Sequence, residues 1–224
     1  MNRMLGLISV FALAVVCVGV TSPVQADLIS GPFTTTTPIA DTLTDWAGSL
    51  SFPQFNSALG TLTEVDLAFS GDMSTVLTIH NTGDSASSGN AKTEVQMTIQ
   101  DAGNNLSVPE LDFLSPAYAY SLGAGDSISS GTLVKSSSSS NSYTLAAVLS
   151  EFTGPGTIVL PASTFTQTDL SNTGGNTSAA QVTDAGLTGT VTYHYNAVPE
   201  PSTLALLLIG AVGLLVCPWR RRRA

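Results

Sequence analysis

The strongest constraint on the fold is a two-residue alternation of apolar and polar side chains, which recurs along the middle of the chain. The alternation is clearest over residues 64–70, 94–100 and 191–196. A period of two sends successive side chains to opposite faces of a strand, so each segment is predicted to be a half-buried β-strand. No 3.6-residue helical period precedes residue 203. The chain is therefore predicted to be all-β.

Turn signals separate these strands. They are rich in Asn, Asp, Gly and Pro, which tolerate or preset turn conformations, and they occur at 81–84, 101–105, 123–126, 154–156 and 172–176. Low complexity predicts a loop tip at Ser136–Ser140, and alternation predicts a strand over 143–149. Residues 41–52 are predicted to bury Leu43, Trp46, Leu50 and Phe52. About eight short strands favour an antiparallel β-sandwich, with a jelly roll as the alternative.

The C-terminal segment has three parts. Val198, Pro199, Glu200 and Pro201 come first, an apolar run from Leu204 to Trp219 follows, and then Arg220, Arg221, Arg222 and Arg223. Proline lacks a backbone donor and biases its preceding residue away from helix, so the first part is expected to be extended and exposed. A helix over 203–219 would span roughly 25 Å, and we expect it to cross the membrane once. The arginines resist transfer and stop the helix in the cytoplasm.

These three parts, in this order, resemble the PEP-CTERM sorting signal of Gram-negative bacteria. In that family an exosortase, a membrane-embedded cysteine transpeptidase, recognises the Pro-Glu-Pro motif and removes the helix. The resemblance implies a protein of the bacterial cell surface or exopolysaccharide matrix, with the exosortase as a processing partner. An ordinary stop-transfer anchor and an apolar C-terminal helix of a soluble fold are the alternatives.

The N-terminal residues 1–26 match a secretory signal peptide. Arg3 provides a positive charge, Leu5–Val20 an apolar stretch, and Val24-Gln25-Ala26 a small-residue cleavage site. Signal peptidase is therefore expected to cut between Ala26 and Asp27, with a retained anchor as the alternative. Cys17 and Cys217 both lie in apolar terminal segments. The part between them is expected to contain no disulfide, thiolate nucleophile or cysteine metal site.

Four regions follow from these boundaries: the signal peptide, an extended lead-in at 27–39, a β-sandwich domain at 40–196 and the sorting signal at 197–224. Lys92 and Lys135 are the only lysines or arginines in 27–198, against fifteen acidic residues. So negative a domain repels nucleic acid and anionic lipid. No nucleic acid partner is expected.

Three stretches of the domain resemble the choice-of-anchor E family. They are Leu50-Ser51-Phe52-Pro53-Gln54-Phe55-Asn56-Ser57-Ala58-Leu59-Gly60-Thr61-Leu62-Thr63-Glu64-Val65, then Phe152-Thr153-Gly154-Pro155-Gly156, and the closing strand Val191–Tyr195. The resemblance covers about residues 40–196. Members share a β domain and carry different surface anchors. The resemblance brings no catalytic residue with it.

The two histidines do not predict a catalytic or metal site. His80 and His194 both fall on the polar faces of predicted strands, and the sequence contains no Gly-x-Ser-x-Gly motif. A serine triad needs an imidazole beside a hydroxyl, and zinc or iron sites show local ligand spacing. Surface histidines are the favoured interpretation.

Acidic and aromatic residues supply the remaining candidates. Glu64 with Asp66, and Glu110 with Asp112, have the i, i+2 spacing that places both carboxylates on one face of a strand, as a glycosidase would require. Asp41, Asp45, Glu64 and Asp66 are weak calcium candidates. Tyr118 and Tyr120 are weak candidates for stacking on sugars, with core packing as the alternative.

We therefore expect a non-enzymatic protein without a cofactor, exported to the cell envelope and held there by a membrane-spanning helix before processing. The alternative is a carbohydrate-binding or glycan-cleaving module that acts in exopolysaccharide.

Overall fold

The computed structural model describes residues 27–35, 38–106, 111–198 and 210. The predicted signal peptide at 1–26, the motif from Pro199 onward and, apart from Gly210, the helix expected over 203–219 lie outside this part. Within the described ranges, no helix has the length and apolar character needed to cross a membrane.

Strands dominate these ranges, which confirms the all-β prediction. The elements are β1 (Asp27–Thr34), β2 (Ile39–Leu43), β3 (Ala47–Pro53), β4 (Gly60–Asn81), β5 (Ser87–Ile99), β6 (Leu111–Leu114), β7 (Tyr118–Leu122), β8 (Ser127–Tyr143), α1 (Ala146–Glu151), β9 (Thr157–Thr173) and β10 (Thr177–Ala197).

Two antiparallel sheets face each other. Sheet A has the order β1-β10-β4-β8, with β2 also paired to β10; sheet B has the order β3-β9-β5-β6, with β7 also paired to β5. The pairs β1 with β10, β3 with β9, β4 with β8 and β5 with β7 are nested, as in one long hairpin. Rolled up, this hairpin gives the two-sheet arrangement of a jelly roll. The strand order was not readable from the sequence.

The alternation predicted for 64–70 is present in β4. Val65, Leu67 and Phe69 are buried, whereas Glu64 and Asp66 lie on the outer face. The inner faces of the two sheets pack closely at Gly71 of β4. A Cβ at this position would lie 2.7 Å from Phe113 Cζ and 2.9 Å from Met97 Sδ of sheet B, so the close approach requires glycine. Side chains of both sheets thus form a large core cluster, and a second, smaller cluster consists of Leu77, Ile79, Ala91, Tyr120 and Leu122.

Two predictions in the second half of the chain are wrong. Ser136–Ser140 is not a loop tip, because β8 continues through it and each serine pairs with a residue of β4. The strand predicted over 143–149 ends at Tyr143, and Ala146–Glu151 forms the short helix α1, which buries Val148. At the serine run the pairing with β4 decides the conformation, and at α1 the burial of Val148 does, because β-propensity is weak beside tertiary packing.

The first half departs from expectation in three places. Residues 27–39 are extended as expected, but Asp27–Thr34 pairs with β10 as an edge strand of sheet A. Leu50 and Phe52 are buried as predicted, whereas Leu43 is exposed and Trp46 is only partly buried. The Trp46 indole still donates to Ala185 O at 3.1 Å. Leu111–Leu114 also forms a short strand, β6, where none of the predicted strands lies.

We call the end of the sandwich that contains Asn81 the distal end. The buried Asn81 side chain accepts from Gly83 N and donates to Ser85 O and Gly123 O. Its backbone N–H donates to Asp126 O at 2.9 Å. Buried polar groups are costly unless satisfied, so this residue ties together two of the turns that close the distal end.

Replacement of Gly71 by valine is expected to destabilise the domain by about 1–3 kcal/mol, because the added atoms collide with Phe113 and Met97 across the sheet interface. Urea unfolding of residues 27–198, followed by circular dichroism, measures the change. Ser70→Val is the matched control, since Ser70 is the exposed neighbour on the same strand. Equal stability of the two variants would contradict the close approach of the sheets.

Candidate functional site

Both ends of the described domain lie together. Asp27 at the start of β1 pairs with Asn196, and Ala197 at the end of β10 pairs with Gly60. Val198 N then donates to Leu59 O at 3.3 Å, and the next residue in the sequence is Pro199. We call this end of the sandwich the exit end. The sorting motif therefore begins directly where sheet pairing stops, without a linker.

An aromatic cluster closes the core at the exit end. Tyr193 is central: its ring centroid lies 6.0 Å from that of Phe33, 5.8 Å from Phe55 and 6.4 Å from Phe152. Its hydroxyl donates to Pro53 O at 2.6 Å, and burial raises the pKa of the phenol. The packed rings and this hydrogen bond fix the end of β10 against the end of β3.

The three stretches that resemble the choice-of-anchor E family meet in this cluster. Phe55 N donates to Phe152 O at 2.8 Å, and Gly154 N donates to Phe55 O at 3.0 Å. Tyr195 of the closing strand packs on Phe55 with ring centroids 5.1 Å apart. Residues widely separated in sequence thus form one structural unit at the exit end.

A polar cluster on the outer face of sheet A contains Asp66, Ser142 and His194. Ser142 Oγ donates to Asp66 Oδ1 at 2.5 Å, and His194 Nε2 lies 2.8 Å from Asp66 Oδ2. Partial burial by itself would raise the pKa of Asp66. The hydrogen bonds from Ser142 and His194 have the larger combined effect, and the pKa of Asp66 is therefore lowered. The hydrogen bond to Asp66 and the neighbouring negative charges raise the pKa of His194. The pair is therefore ionised in mildly acidic solution.

The geometry of this cluster differs from that of a serine triad. In a triad the hydroxyl bonds one imidazole nitrogen and the carboxylate bonds the other. Here the hydroxyl and the imidazole both bond the carboxylate, and His194 Nδ1 faces Asp27 at 3.8 Å. The imidazole is thus not placed to take a proton from Ser142. The cluster links β10 to β4 and β8 instead.

A hydroxyl-lined groove crosses the outer face of sheet A beside this cluster. Its two adjoining cavities have volumes of about 560 and 360 Å³ and share Ala68, Ser140 and Thr190. The other lining side chains include Ser70, Ser138, Thr188, Thr192 and Asn141. Small side chains at these positions leave the groove open, and their hydroxyls could hydrogen-bond a polar chain.

The four calcium candidates do not converge on one site. Asp41 on β2 reaches across Gly186, where a Cβ would lie 2.3 Å from Asp41 Oδ1, and it lies beside Asp72 on β4. Burial and the Asp41 carboxylate raise the pKa of Asp72. Asp45 accepts from Thr166 N at the edge of sheet B, whereas Glu64 lies beside Asp66. No group of three His, Cys, Asp or Glu residues suited to a metal occurs in the ranges that the structure describes.

The two tyrosine candidates are mainly structural. Tyr120 is buried, which agrees with the core-packing interpretation, and its hydroxyl donates to Ser171 O at 3.0 Å. Tyr118 is half-buried and donates to Ser129 O at 3.0 Å. Their hydroxyls therefore join β7 to β9 and to β8.

The remaining candidates lie far apart. His80 contacts Ser127 Oγ at 2.8 Å near the distal end, whereas His194 pairs with Glu64 near the exit end. His80 follows Glu64 on β4 by sixteen positions, which correspond to about 50 Å, so the histidines cannot share a ligand. Glu110 lies outside the described residues, so its pairing with Asp112 stays a prediction.

Sequence reasoning missed Ser142 and Asp72. Nothing distinguishes Ser142 from the many other serines of β8, since only the register Asp66–Ser142 selects it. Asp72 likewise lies beside Asp41 only because β2 passes close to Gly186, which has no side chain.

Residues 197–223 match the PEP-CTERM protein-sorting motif. The chain therefore carries a signal for exosortase-dependent sorting to the cell surface. No curated protein matches the chain significantly.

Among solved structures, the chain is similar to chains of infectious bursal disease virus. The Gx strain chain is 11% identical, with 81% of this chain and 40% of that chain covered and a TM-score of 0.17. The Gt strain chain is 7% identical, with 81% and 44% covered and a TM-score of 0.14. The chain spans less than half the length of these viral chains, and so low a score says nothing about its fold or function.

The variant Asp66→Asn is expected to lower the pKa of His194, because it removes the carboxylate that favours the imidazolium. An NMR titration of the His194 ring protons measures the shift. Asp84→Asn in the exposed distal turn is the control, and an equal shift in both variants would contradict the pairing.

The same pair also predicts how stability depends on pH. Because the pKa of His194 is raised in the folded state, its stabilisation of the fold is complete below the pKa of unfolded histidine and is lost as pH rises through the folded pKa. Because the pKa of Asp66 is lowered, its stabilisation is complete above the pKa of unfolded aspartate and is lost as pH falls through the folded pKa. The contribution is therefore greatest between about pH 4 and 6.5, and Asp66→Asn should flatten this maximum in urea midpoints. A maximum unchanged by the substitution would count against the pair.

Proposed function

We propose that this chain is an exported, non-enzymatic protein of the bacterial cell surface, anchored by a C-terminal helix that an exosortase later removes. The observation that carries the proposal is the match to the sorting motif at 197–223, which begins at the last residue of β10. A processing enzyme would find the motif directly against the folded domain. Export by a cleaved signal peptide and a single membrane span at 203–219 belong to the same proposal.

The predicted cut after Ala26 would leave the described domain intact. All of the residues Asp27–Thr34 that pair with β10 would stay with the released sandwich. The pairing of Asp27 with Asn196 brings this cut and the Pro-Glu-Pro motif to the same end of the domain.

We also assign residues 40–196 to the choice-of-anchor E type. The assignment is supported by the contacts between Phe55, Phe152 and Tyr193, because the three resembling stretches form one aromatic unit. Contacts within one structural unit give a physical reason for the same three stretches to occur in one family of domains.

The non-enzymatic role is supported by how the polar residues are used. His194 and Ser142 are both bonded to Asp66, and Asp45 is bonded to the sheet edge at Thr166. These groups stabilise strand pairs rather than converge on a site where a substrate could react.

Glu200→Ala is expected to leave export intact and to block removal of the C-terminal segment, because the charged residue between the two prolines is the recognised feature. Intact mass and C-terminal sequencing of the protein recovered from cells measure the outcome. Asp84→Ala, an acidic residue of the distal turn, is the control and should be processed normally. An unchanged mature mass in Glu200→Ala would refute exosortase processing at this motif.

The hydroxyl-lined groove favours a second candidate, a carbohydrate-binding module in exopolysaccharide. Ser140 lines both cavities, so Ser140→Trp would fill the groove where the two meet. Polysaccharide binding that is lost in Ser140→Trp and kept in Ser85→Trp, a distal-turn control, would establish this function. Glycan arrays and calorimetry on residues 27–198 measure it, and no binding by the unmodified domain would eliminate it.

A further inference from the structure

The two ends of the sandwich differ in their exposed apolar residues. At the exit end Leu28 is 40%, Leu59 45%, Leu145 55% and Val198 58% exposed. The distal turns, at 82–86, 123–126 and 174–176, carry no exposed large apolar side chain. They consist of Gly, Ser, Thr, Asn, Asp and Ala. The exit end therefore presents more exposed large apolar side chains than the distal turns do.

The exposed apolar residues surround the point where the chain leaves the sheet. Val198 N donates to Leu59 O, and Leu28 is the cross-strand neighbour of Tyr195. Leu145 precedes α1, whose following residue Phe152 accepts a hydrogen bond from Phe55 N. With strands about 4.8 Å apart, β1, β10 and β4 place Leu28, Val198 and Leu59 within a few strand spacings of one another.

Chain length holds this surface near the start of the apolar run. Five residues, 199–203, separate Val198 from Leu204. Even fully extended, they reach at most about 18 Å. β4 has 22 residues, which at about 3.3 Å per residue makes the sandwich about 70 Å long. If the apolar run enters a bilayer, the exit end is near the lipid surface, whereas the distal end can be a full domain length away.

We infer that the exit end rests on the lipid surface and that the sandwich stands end-on above it, with Leu28, Leu59, Leu145 and Val198 against the bilayer interface. The inference rests on the membrane anchoring in the proposed function. Isolated exposed leucines are ordinary on soluble proteins, and several also lie on the flanks of the sheets. What distinguishes these four is their place beside the segment that would enter lipid.

Charge selects the kind of lipid. Asp27, Glu64 and Glu151 lie at the exit end, whereas Lys92 and Lys135 are on strands nearer the middle and the distal end. An acidic surface is repelled by anionic headgroups at short range. The surface that fits is zwitterionic, as in phosphatidylethanolamine and phosphatidylcholine bilayers.

Site-specific quenching in vesicles tests this orientation. The mature chain of the proposed function, residues 27–224 with Cys217 replaced by serine, is reconstituted in phosphatidylethanolamine–phosphatidylcholine vesicles that carry a headgroup nitroxide, which quenches only at contact range. A fluorophore is attached at Ala58→Cys in the exit end, at Ser138→Cys on the outer face of sheet A, or at Ser85→Cys in the distal end. End-on contact predicts quenching at position 58 alone, and a several-fold loss of it as phosphatidylglycerol is added.

The other outcomes overturn the inference in distinguishable ways. Quenching at position 138 means that the domain lies on sheet A, and quenching at none of the three means that it is held off the lipid. If position 58 becomes shielded only when an exosortase is reconstituted too, the exit end binds protein rather than lipid. Failure of the chain to float with the vesicles refutes the anchoring itself, and with it the orientation.

A paired substitution tests the role of the apolar side chains. Leu59→Gln with Leu145→Gln should reduce the quenching at position 58 several-fold, because the contact loses apolar area. Val134→Gln with Val182→Gln is the matched control, since these residues are 66% and 60% exposed on the flank of sheet A. Equal quenching in both double variants would show that the apolar side chains at the exit end do not contact lipid.

Discussion

The pairing of β10 with β4 is the interaction on which the rest of the structure depends. It runs from Thr177 opposite Asn81 to Ala197 opposite Gly60, with one register shift near His194. A slip by one residue would turn every apolar side chain of β10 to the solvent face, so the buried residues Val191 and Tyr193 hold this register. β1 and β2 then pair with the free edge of β10, and β8 pairs with that of β4. The final strand is thus the centre of sheet A rather than an edge added last.

This central position of the last strand links the fold to sorting. Because β10 pairs up to Ala197 and the match to the sorting motif starts there, the folded domain and the signal share a boundary. The aromatic cluster around Tyr193 stabilises that boundary from inside, and Asp66 with His194 stabilises it from the outer face. Contacts at the exit end therefore hold Ala197 and Val198, with which the matched segment begins, against the sandwich.

The outer face of sheet A differs from the core in the kind of side chain that it carries. Its side chains are mostly small hydroxyls, and those of Ser138 and Ser140 sit on a strand whose register comes from β4. Strands normally favour branched and aromatic residues that pack against neighbours. Here backbone pairing alone orders a serine run, and the result is an open groove rather than a filled surface. The run of serines hides the strand from sequence-based prediction, and its small side chains also leave the cavities on the sheet open.

The sequence by itself determined the class of fold, the turns and the C-terminal sorting motif, because these depend on local period, turn chemistry and a short contiguous pattern. The alternation at 64–70, the turn at Asn81 and the buried Phe52 were all predictable in this way. Tertiary structure alone decided the jelly-roll order, the strand through Ser136–Ser140, the burial of Tyr120 and the meeting of Asp41 with Asp72. Each depends on which strand lies alongside, and that choice is made by long-range register and by close approach at glycines such as Gly186. Neither leaves a local trace in the chain.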